Sequence, residues 1–322
     1  MESRQKILTK PIVVCAIALL CTLLWGSAFP SIKVGYQMFE IASDDTASQI
    51  LFAGYRFTIA GMIAWIISTI ICKEARLPKR GVWGHVVALG LLQTTLQYIF
   101  FYIGMANITG VKSAIISASS SFFSILMAHF LIKGEGLTVK KIIGCVLGFA
   151  GIVVINFTSQ GFGGGFKLIG EGFAIISCFI SGLSSVYVKV LVKRDNAFTI
   201  TAYQLLLGGI ALSIIGLMMG GEIHNFTIKS ISLLIYLAMI SGVAFSLWAL
   251  LLQYNSVGKV AIYGFTSPIF GALLSAIVLG ERVFAWRNLV ALLLVSLGIV
   301  IVNIQWTARK TESKYDEAMS ER

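Results

Sequence analysis

The sequence predicts an all-α integral membrane protein of ten transmembrane helices, arranged as two inverted five-helix repeats. Three observations predict it. The 322-residue chain is 57% apolar and only 12% charged, with a mean hydropathy of +0.89. That is about half the charge of an average soluble domain, too little polar surface to cover a water-soluble globule. Ten continuous apolar windows can be read along the chain. The second half of the chain then repeats residue patterns of the first at a nearly constant offset. A cytosolic enzyme, a disordered chain and a small disulfide scaffold are excluded on composition alone.

The ten windows are 12–34, 50–72, 83–105, 111–132, 139–157, 168–190, 198–219, 230–252, 258–279 and 285–304. Each is close to the roughly 20 residues that cross about 30 Å of hydrocarbon. A helix closes its backbone hydrogen bonds within itself, and none of the windows alternates with the period of two that a barrel strand would show. Span 1 follows Arg4, Lys6 and Lys10 and holds Gly26-Ser27-Ala28 near its end, in the manner of a signal peptide. Nine further spans follow it, so it is read as a helix that stays. The tail 305–322 is charged and is read as disordered and cytoplasmic.

Orientation follows from lysine and arginine. With the N-terminus inside, 18 basic residues fall on the cytoplasmic side and 5 outside, while Lys33 and Arg56 sit within outer helix halves. Both termini are then cytoplasmic. The net charge of +11 is spread over short inner loops, where contact with anionic membrane lipid explains it, and no clustered basic face invites nucleic acid.

The repeat is legible at several places. Gly110-Val111-Lys112-Ser113-Ala114-Ile115 parallels Val257-Gly258-Lys259-Val260-Ala261-Ile262, and Gly134-Glu135 parallels Gly280-Glu281. Gly151 to Asn156 parallels Gly298 to Asn303. Tyr55-Arg56 and Gly61 pair with Tyr203-Gln204 and Gly209, and Gly26 and Lys33 with Gly182 and Lys189. The units are 12–157 and 168–304. Five spans per unit is odd, so the second unit enters the membrane from the opposite side, the architecture of alternating access with a site near the midplane.

Within the spans, costly polar and ionisable residues are the functional candidates. Arg56 in span 2 can hold a carboxylate or phosphate bidentately, or serve packing and topology. Its repeat partner Gln204 is uncharged. In span 3, Gln93 and Gln97 share a face beside Tyr98, for a wet cavity or for bonds to another helix. Trp25 and Phe29 in span 1, Tyr203 in span 7 and Trp248 in span 8 are candidate aromatic walls. Serines crowd span 4 (Ser117, Ser119, Ser120, Ser121) and span 6 (Ser177, Ser181, Ser184, Ser185), and Gly144 and Gly148 in span 5 form a small-residue packing motif. Cys15, Cys21, Cys72, Cys145 and Cys178 are read as small buried hydrophobes.

No acidic residue lies near a span centre, which argues against a proton-coupled cation exchanger. Glu135 and Glu281 are expected to cap helices or pair locally. His85, His129 and His224 stand apart without metal spacing. The glycine-rich stretch 161–165 lacks the Lys-Ser/Thr of a nucleotide loop, so neither a metal nor a cofactor is expected.

Trp25-Gly26-Ser27, Arg56-Phe57, and Ser267-Pro268 followed by Leu279-Gly280-Glu281-Arg282, set within ten spans in duplicate, resemble the EamA-type drug/metabolite transporter family over about residues 12–304. The resemblance implies membrane carriers of amino acids, other metabolites or toxic compounds, often exporters. Where related carriers have proline in span 4 this chain has Ser121, while span 9 keeps Pro268. The expected function is thus a carrier of small organic solutes, with a membrane enzyme acting on lipid-linked substrate or a non-transporting receptor as the alternatives.

Overall fold

The structure, a computed structural model, describes residues 6–71, 77–134, 136–156, 166–264 and 266–280, with positions 286, 289–291, 293, 294, 296–298 and 301 beyond them. Glu135, Glu281, Cys72 and the tail 305–322 lie outside the described residues. Among the described residues the regular elements are all helical. The helices are α1 (Pro11–Met38), α2 (Thr46–Ile66, extended by a π turn at Ile67–Ile71), α3 (Trp83–Asn107), α4 (Gly110–Leu131), α5 (Val139–Asn156), α6 (Leu168–Leu191), α7 (Ala197–Met218), α8 (Ile228–Tyr254) and α9 (Val257–Leu279). A shorter apolar segment, Leu289–Gly298, is α10.

Among the described residues eight helices, α1 to α4 and α6 to α9, are long and apolar enough to cross a membrane. The ten windows of the sequence are therefore matched in eight places. The 18-residue α5 and the shorter α10 fall on the other two windows. Large apolar side chains such as Ile12, Met62, Leu91, Val146 and Ile277 point outward from the bundle, as they must where the solvent is lipid.

Side-chain caps start several helices. Asp45 accepts from Ser48 N at 3.0 Å, Asn196 from Phe198 N at 2.8 Å, and Thr227 forms a capping box with Ser230. Gly134, in the turn after α4, and Gly280, directly after α9, have positive φ, +93° and +66°. These are the repeat-related glycines of the sequence, and the left-handed conformation is why glycine stands at both.

The packing exchanges partners between the two halves. α1 packs on α8 and α9; α6 packs on α3 and α4. α2 packs on α8, and α7 on α3. α2 and α7 face each other over the largest helix–helix contact, and α4 faces α9. Replacing each helix by the one five places away turns every one of these pairs into another of them or, for α2–α7 and α4–α9, into itself. The close contacts obey the same exchange. A Cβ on Gly26 of α1 would lie 2.6 Å from Phe270 Cβ of α9, and one on Gly182 of α6 would lie 2.6 Å from Phe123 Cβ of α4. Small residues at these points let backbones approach where no hydrophobic force distinguishes helix from lipid. On α5, Gly144 and Cys145 are buried and Cys145 packs on α4 against Ala118 and Phe122. Gly148 lies one turn on in the same helix.

Two further irregularities position the interior. α3 contains a π-helical segment, Gly90–Leu96, which includes Gln93, Thr94 and Thr95. α4 is interrupted at Ala118 between the helices Gly110–Ser117 and Ser119–Leu131. The equivalent part of α9 carries Pro268, which has no N–H to return to Gly264. α4 breaks without a proline. There Ser117, Ser119 and Ser120 donate their hydroxyls to the carbonyls three residues back at 2.6–2.8 Å, and Ser121 N donates to Ala118 O at 3.1 Å. Serine hydroxyls compete for the helix's own acceptors and account for the interruption.

Candidate functional site

A cavity of about 150 Å³ lies between the two halves. Its lining comes from α1 (Trp25, Phe29), α2 (Arg56), α3 (Gln93, Gln97, Tyr98, Phe101), α4, α6, α8 (Phe245, Trp248) and α9 (Gly264, Ser267). An engineered apolar cavity of the same size accommodates benzene, so the space suits a small organic molecule.

Arg56 is the centre of its electrostatics. The side chain is 2% exposed. Nε donates to the Leu237 carbonyl at 3.2 Å and to Ser241 Oγ at 3.1 Å, and Nη1 donates to Tyr102 Oη at 2.8 Å. The guanidinium carbon lies 5.0 Å from the centroid of Phe57. Among the described residues, these hydrogen-bond partners are all neutral. A buried ion without a counter-charge costs several kcal/mol after relaxation, and hydrogen bonds and one aromatic face recover only part of that. What remains is a standing attraction for an anion in the cavity that Arg56 borders.

The walls beside Arg56 are aromatic. Trp25 and Trp248 approach to 4.9 Å between centroids, Trp25 and Phe245 to 5.5 Å, Tyr98 and Phe101 to 5.5 Å, and Phe57 and Tyr98 to 4.1 Å. The α4 and α6 walls are small and polar: Ser117, Ser120, Ser121, Ser124, Ser181 and Ser185.

The sequence candidates divide cleanly. Trp25, Phe29, Arg56, Gln93, Gln97, Tyr98 and Trp248 all border this one cavity. Gln204 is 2% exposed and borders a neighbouring void of about 10 Å³, shared with Gln93 and Trp248. Its Oε1 accepts from Thr94 Oγ1 at 3.0 Å. Tyr203 borders neither space. Its ring packs edge-on against Trp83 at 5.3 Å, among the apolar side chains near the start of α3. Pro268 is buried in the second half of α9, beside Ser267 of the cavity wall. The sequence does not mark Tyr102, Ser241, Phe101 or Phe245 as candidates, and Ser267 enters only through the Ser267-Pro268 motif. Tyr102 and Ser241 had a usable signal: each is a polar side chain in an apolar span, one on either side of the helix that carries Arg56.

Other polar groups serve the structure. Glu171, 2% exposed near the start of α6, forms an ion pair with Lys112 of α4, and its second oxygen accepts from Lys167 N at 2.7 Å. His85 Nδ1 meets Tyr187 Oη at 2.9 Å, and its Nε2 meets Arg194 Nη1 at 3.0 Å. Lys189 Nζ donates to the carbonyls of Leu252 and Asn255 at the end of α8. Among the described residues, no group of three or more His, Cys, Asp or Glu could hold a metal ion.

Comparison with known proteins places this architecture. The EamA-like transporter family matches residues 12–157 and again 168–304. The chain is 30% identical to "Uncharacterized transporter YvbV" of Bacillus subtilis (strain 168), over 89% of this chain and 90% of that one. It is 29% identical to an "Uncharacterized transporter" of Archaeoglobus fulgidus, over 82% and 88%. It is 23% identical to the "Probable amino-acid metabolite efflux pump" of Escherichia coli (strain K12), over 90% and 95%. A protein solved by crystallography, 20% identical, superposes with a TM-score of 0.68 over 93% of this chain and 98% of its own, which shows a shared fold. With its multiple apolar helices, its two matched units and a small-molecule cavity between them, the chain belongs to the EamA-like transporter family of membrane proteins.

Proposed function

We propose that the protein is a carrier, not an enzyme, that moves small organic solutes bearing a carboxylate, amino acids or related metabolites, out of the cell by alternating access. The observation that carries this reading is Arg56: a buried cation with neutral partners, bordering a cavity of benzene size between the two halves. A carboxylate docking there would supply the missing counter-charge through paired N–H···O bonds. The aromatic side chains around it suit an apolar substituent. Export follows the name of the Escherichia coli relative and the resemblance of the sequence.

In this reading ten helices span the cell membrane as two inverted five-helix units, 12–157 and 168–304, with both termini in the cytoplasm. The exchange of packing partners supports the duplication, and the distribution of lysine and arginine supports the orientation. Inversion supplies the mechanism. Contacts that close one half against one face of the membrane have counterparts that close the other half against the opposite face, so the same cavity can be opened to either side in turn. Trp25, Phe29, Arg56, Gln93, Gln97, Tyr98 and Trp248 form the substrate pathway. Gln204 and Tyr203 back it from α7, while Pro268, Gly144, Gly148, Glu135 and Glu281 are structural.

The test is uptake into proteoliposomes of purified protein from a pool of amino acids and common metabolites, read by mass spectrometry. Accumulation of a carboxylate-bearing compound above protein-free liposomes is the expected result. A folded, monodisperse protein that accumulates only compounds without a carboxylate, or none of the pool, overturns the reading.

A further inference from the structure

The two glutamines of α3 carry amides that the protein leaves unpaired. Gln93 and Gln97 are 7% and 8% exposed and both border the cavity. The amide oxygen of each is buried without a hydrogen-bond partner. Such an arrangement costs stability, and an orphaned polar group in a native interior calls for a ligand or a water that completes it. The two side chains differ in this from Gln204, whose oxygen is satisfied by Thr94, and from Arg56, whose nitrogens are anchored on α3 and α8.

Four serines around the same cavity have a fixed polarity. Ser117 donates to Ala114 O at 2.6 Å, Ser120 to Ser117 O at 2.7 Å, Ser124 to Ser120 O at 2.8 Å and Ser185 to Ser181 O at 3.0 Å. With each hydrogen committed to its own helix, these hydroxyls have only lone pairs to offer. Arg56 offers only donors. The cavity therefore has two chemical poles, and a carboxylate satisfies one of them.

We propose that Gln93 and Gln97 hold the ammonium group of a zwitterionic substrate whose carboxylate lies on Arg56, and that this amide pair selects solutes carrying both charges over carboxylates that lack the amine. This rests on the carrier reading above and specifies its chemistry. An amide keeps its shape through a half turn about χ3, so each glutamine can bring its oxygen to the ligand without repacking. The rings of Trp25 and Trp248 border the same space and present π faces that favour a cation. An amino acid fits both poles at once. The corresponding 2-hydroxy acid keeps the carboxylate and the side chain and loses the positive charge.

The experiment uses the full-length protein and five matched pairs: alanine, valine, leucine, methionine and phenylalanine, each with its 2-hydroxy acid. Binding is measured by isothermal titration for the wild type, for Q93M/Q97M and for R56Q. For the best-bound pair, the wild type is expected to hold the amino acid at least about tenfold tighter than the hydroxy acid, the value of one charge-assisted hydrogen bond. In Q93M/Q97M that ratio falls below about threefold while hydroxy-acid affinity is kept; R56Q weakens both members alike. Methionine matches glutamine in length and removes the unpaired amides, so Q93M/Q97M is expected to melt at or above the wild-type temperature. A wild type that binds both members equally, or a variant that keeps the ratio, overturns the proposal and leaves the carrier reading standing. A lower melting temperature assigns the amides to structure and overturns it as well. If no member of any pair binds the wild type, the proposal and the carboxylate reading fall together.

Discussion

Arg56 and Gln204 stand at equivalent positions in the two halves, 148 residues apart, and they have been put to different uses. Arg56 of α2 donates to Ser241 of α8; Thr94 of α3 donates to Gln204 of α7. Thr94 and Ser241 are themselves 147 residues apart, so the same pair of helices meets at the same place in both halves. Only the chemistry differs. On the Arg56 side a second anchor is present, Tyr102 Oη at 2.8 Å, and the position 147 residues after Tyr102 is Ala249. One half thus carries a buried cation held by a phenol and a hydroxyl. The other carries a neutral amide whose visible need is met by a threonine. Duplication supplied the frame twice, and the charge was placed in only one copy. A symmetric frame can rock; an asymmetric charge gives the cavity one place for an anion.

The largest test of that contrast is to erase it. Arg56→Gln makes the two halves alike, and affinity for carboxylate-bearing solutes is expected to fall about 100-fold, the loss of a bidentate charged contact. Its melting temperature in detergent should rise, because an uncompensated buried charge leaves with the side chain. Gln204→Leu should change the same affinity by less than about threefold. Equal losses in the two variants, read by titration with the carboxylate that the wild type binds best, would refute the division of roles.

Where the halves agree, equal effects are expected. Gly26→Val in α1 and Gly182→Val in α6 each force a β-branched side chain into a backbone contact with an equivalent phenylalanine, Phe270 or Phe123. Overpacking of this kind costs about 1–3 kcal/mol. The two variants should lower the melting temperature by similar amounts, and a large inequality would show that the frame is less symmetric than its contacts.

Tyr102→Phe sharpens the comparison from the other side. It leaves the charge and removes one anchor, so Arg56 is free to leave its orientation. Carboxylate affinity should fall about tenfold, the worth of one hydrogen bond to a charged group. Affinity for uncharged analogues of the same side chain should hold. If both fall together, Tyr102 shapes the cavity and does not position the guanidinium.

The sequence made the frame legible and left the placement of the charge half-read. Apolar runs of helical length and paired glycines such as Gly134 and Gly280 are properties of one short stretch, and the duplication doubles each signal. Arg56 could be found because a cation within an apolar span is rare. Its meaning depended on its partners, Leu237, Ser241 and Tyr102, which lie 46 to 185 residues away. Only the packing of α2 between α3 and α8 brings them together. Tyr203 misled for the same reason. An aromatic beside Gln204 looks like a cavity wall, yet a one-residue step around a helix turns it about 100° away, onto Trp83.

The smallest expected effect concerns a place where the halves carry different residues. α9 carries Pro268, and α4 is interrupted at Ala118 with Ser121 in the proline's position. If serine hydroxyls have already opened α4, proline has little left to break. The N–H that it would delete makes a three-residue turn bond to Ala118. Ser120 Oγ already occupies the Ser117 carbonyl, the one that the proline ring would crowd. Ser121→Pro is therefore expected to cost about 1 kcal/mol, one net hydrogen bond, and not the roughly 3 kcal/mol or more of a proline in an intact helix. Thermal denaturation of Ser121→Pro beside Ile125→Pro, a full turn into the continuous part of the same helix, separates the two values. A loss at 121 as large as that at 125 would mean that α4 is an ordinary helix there.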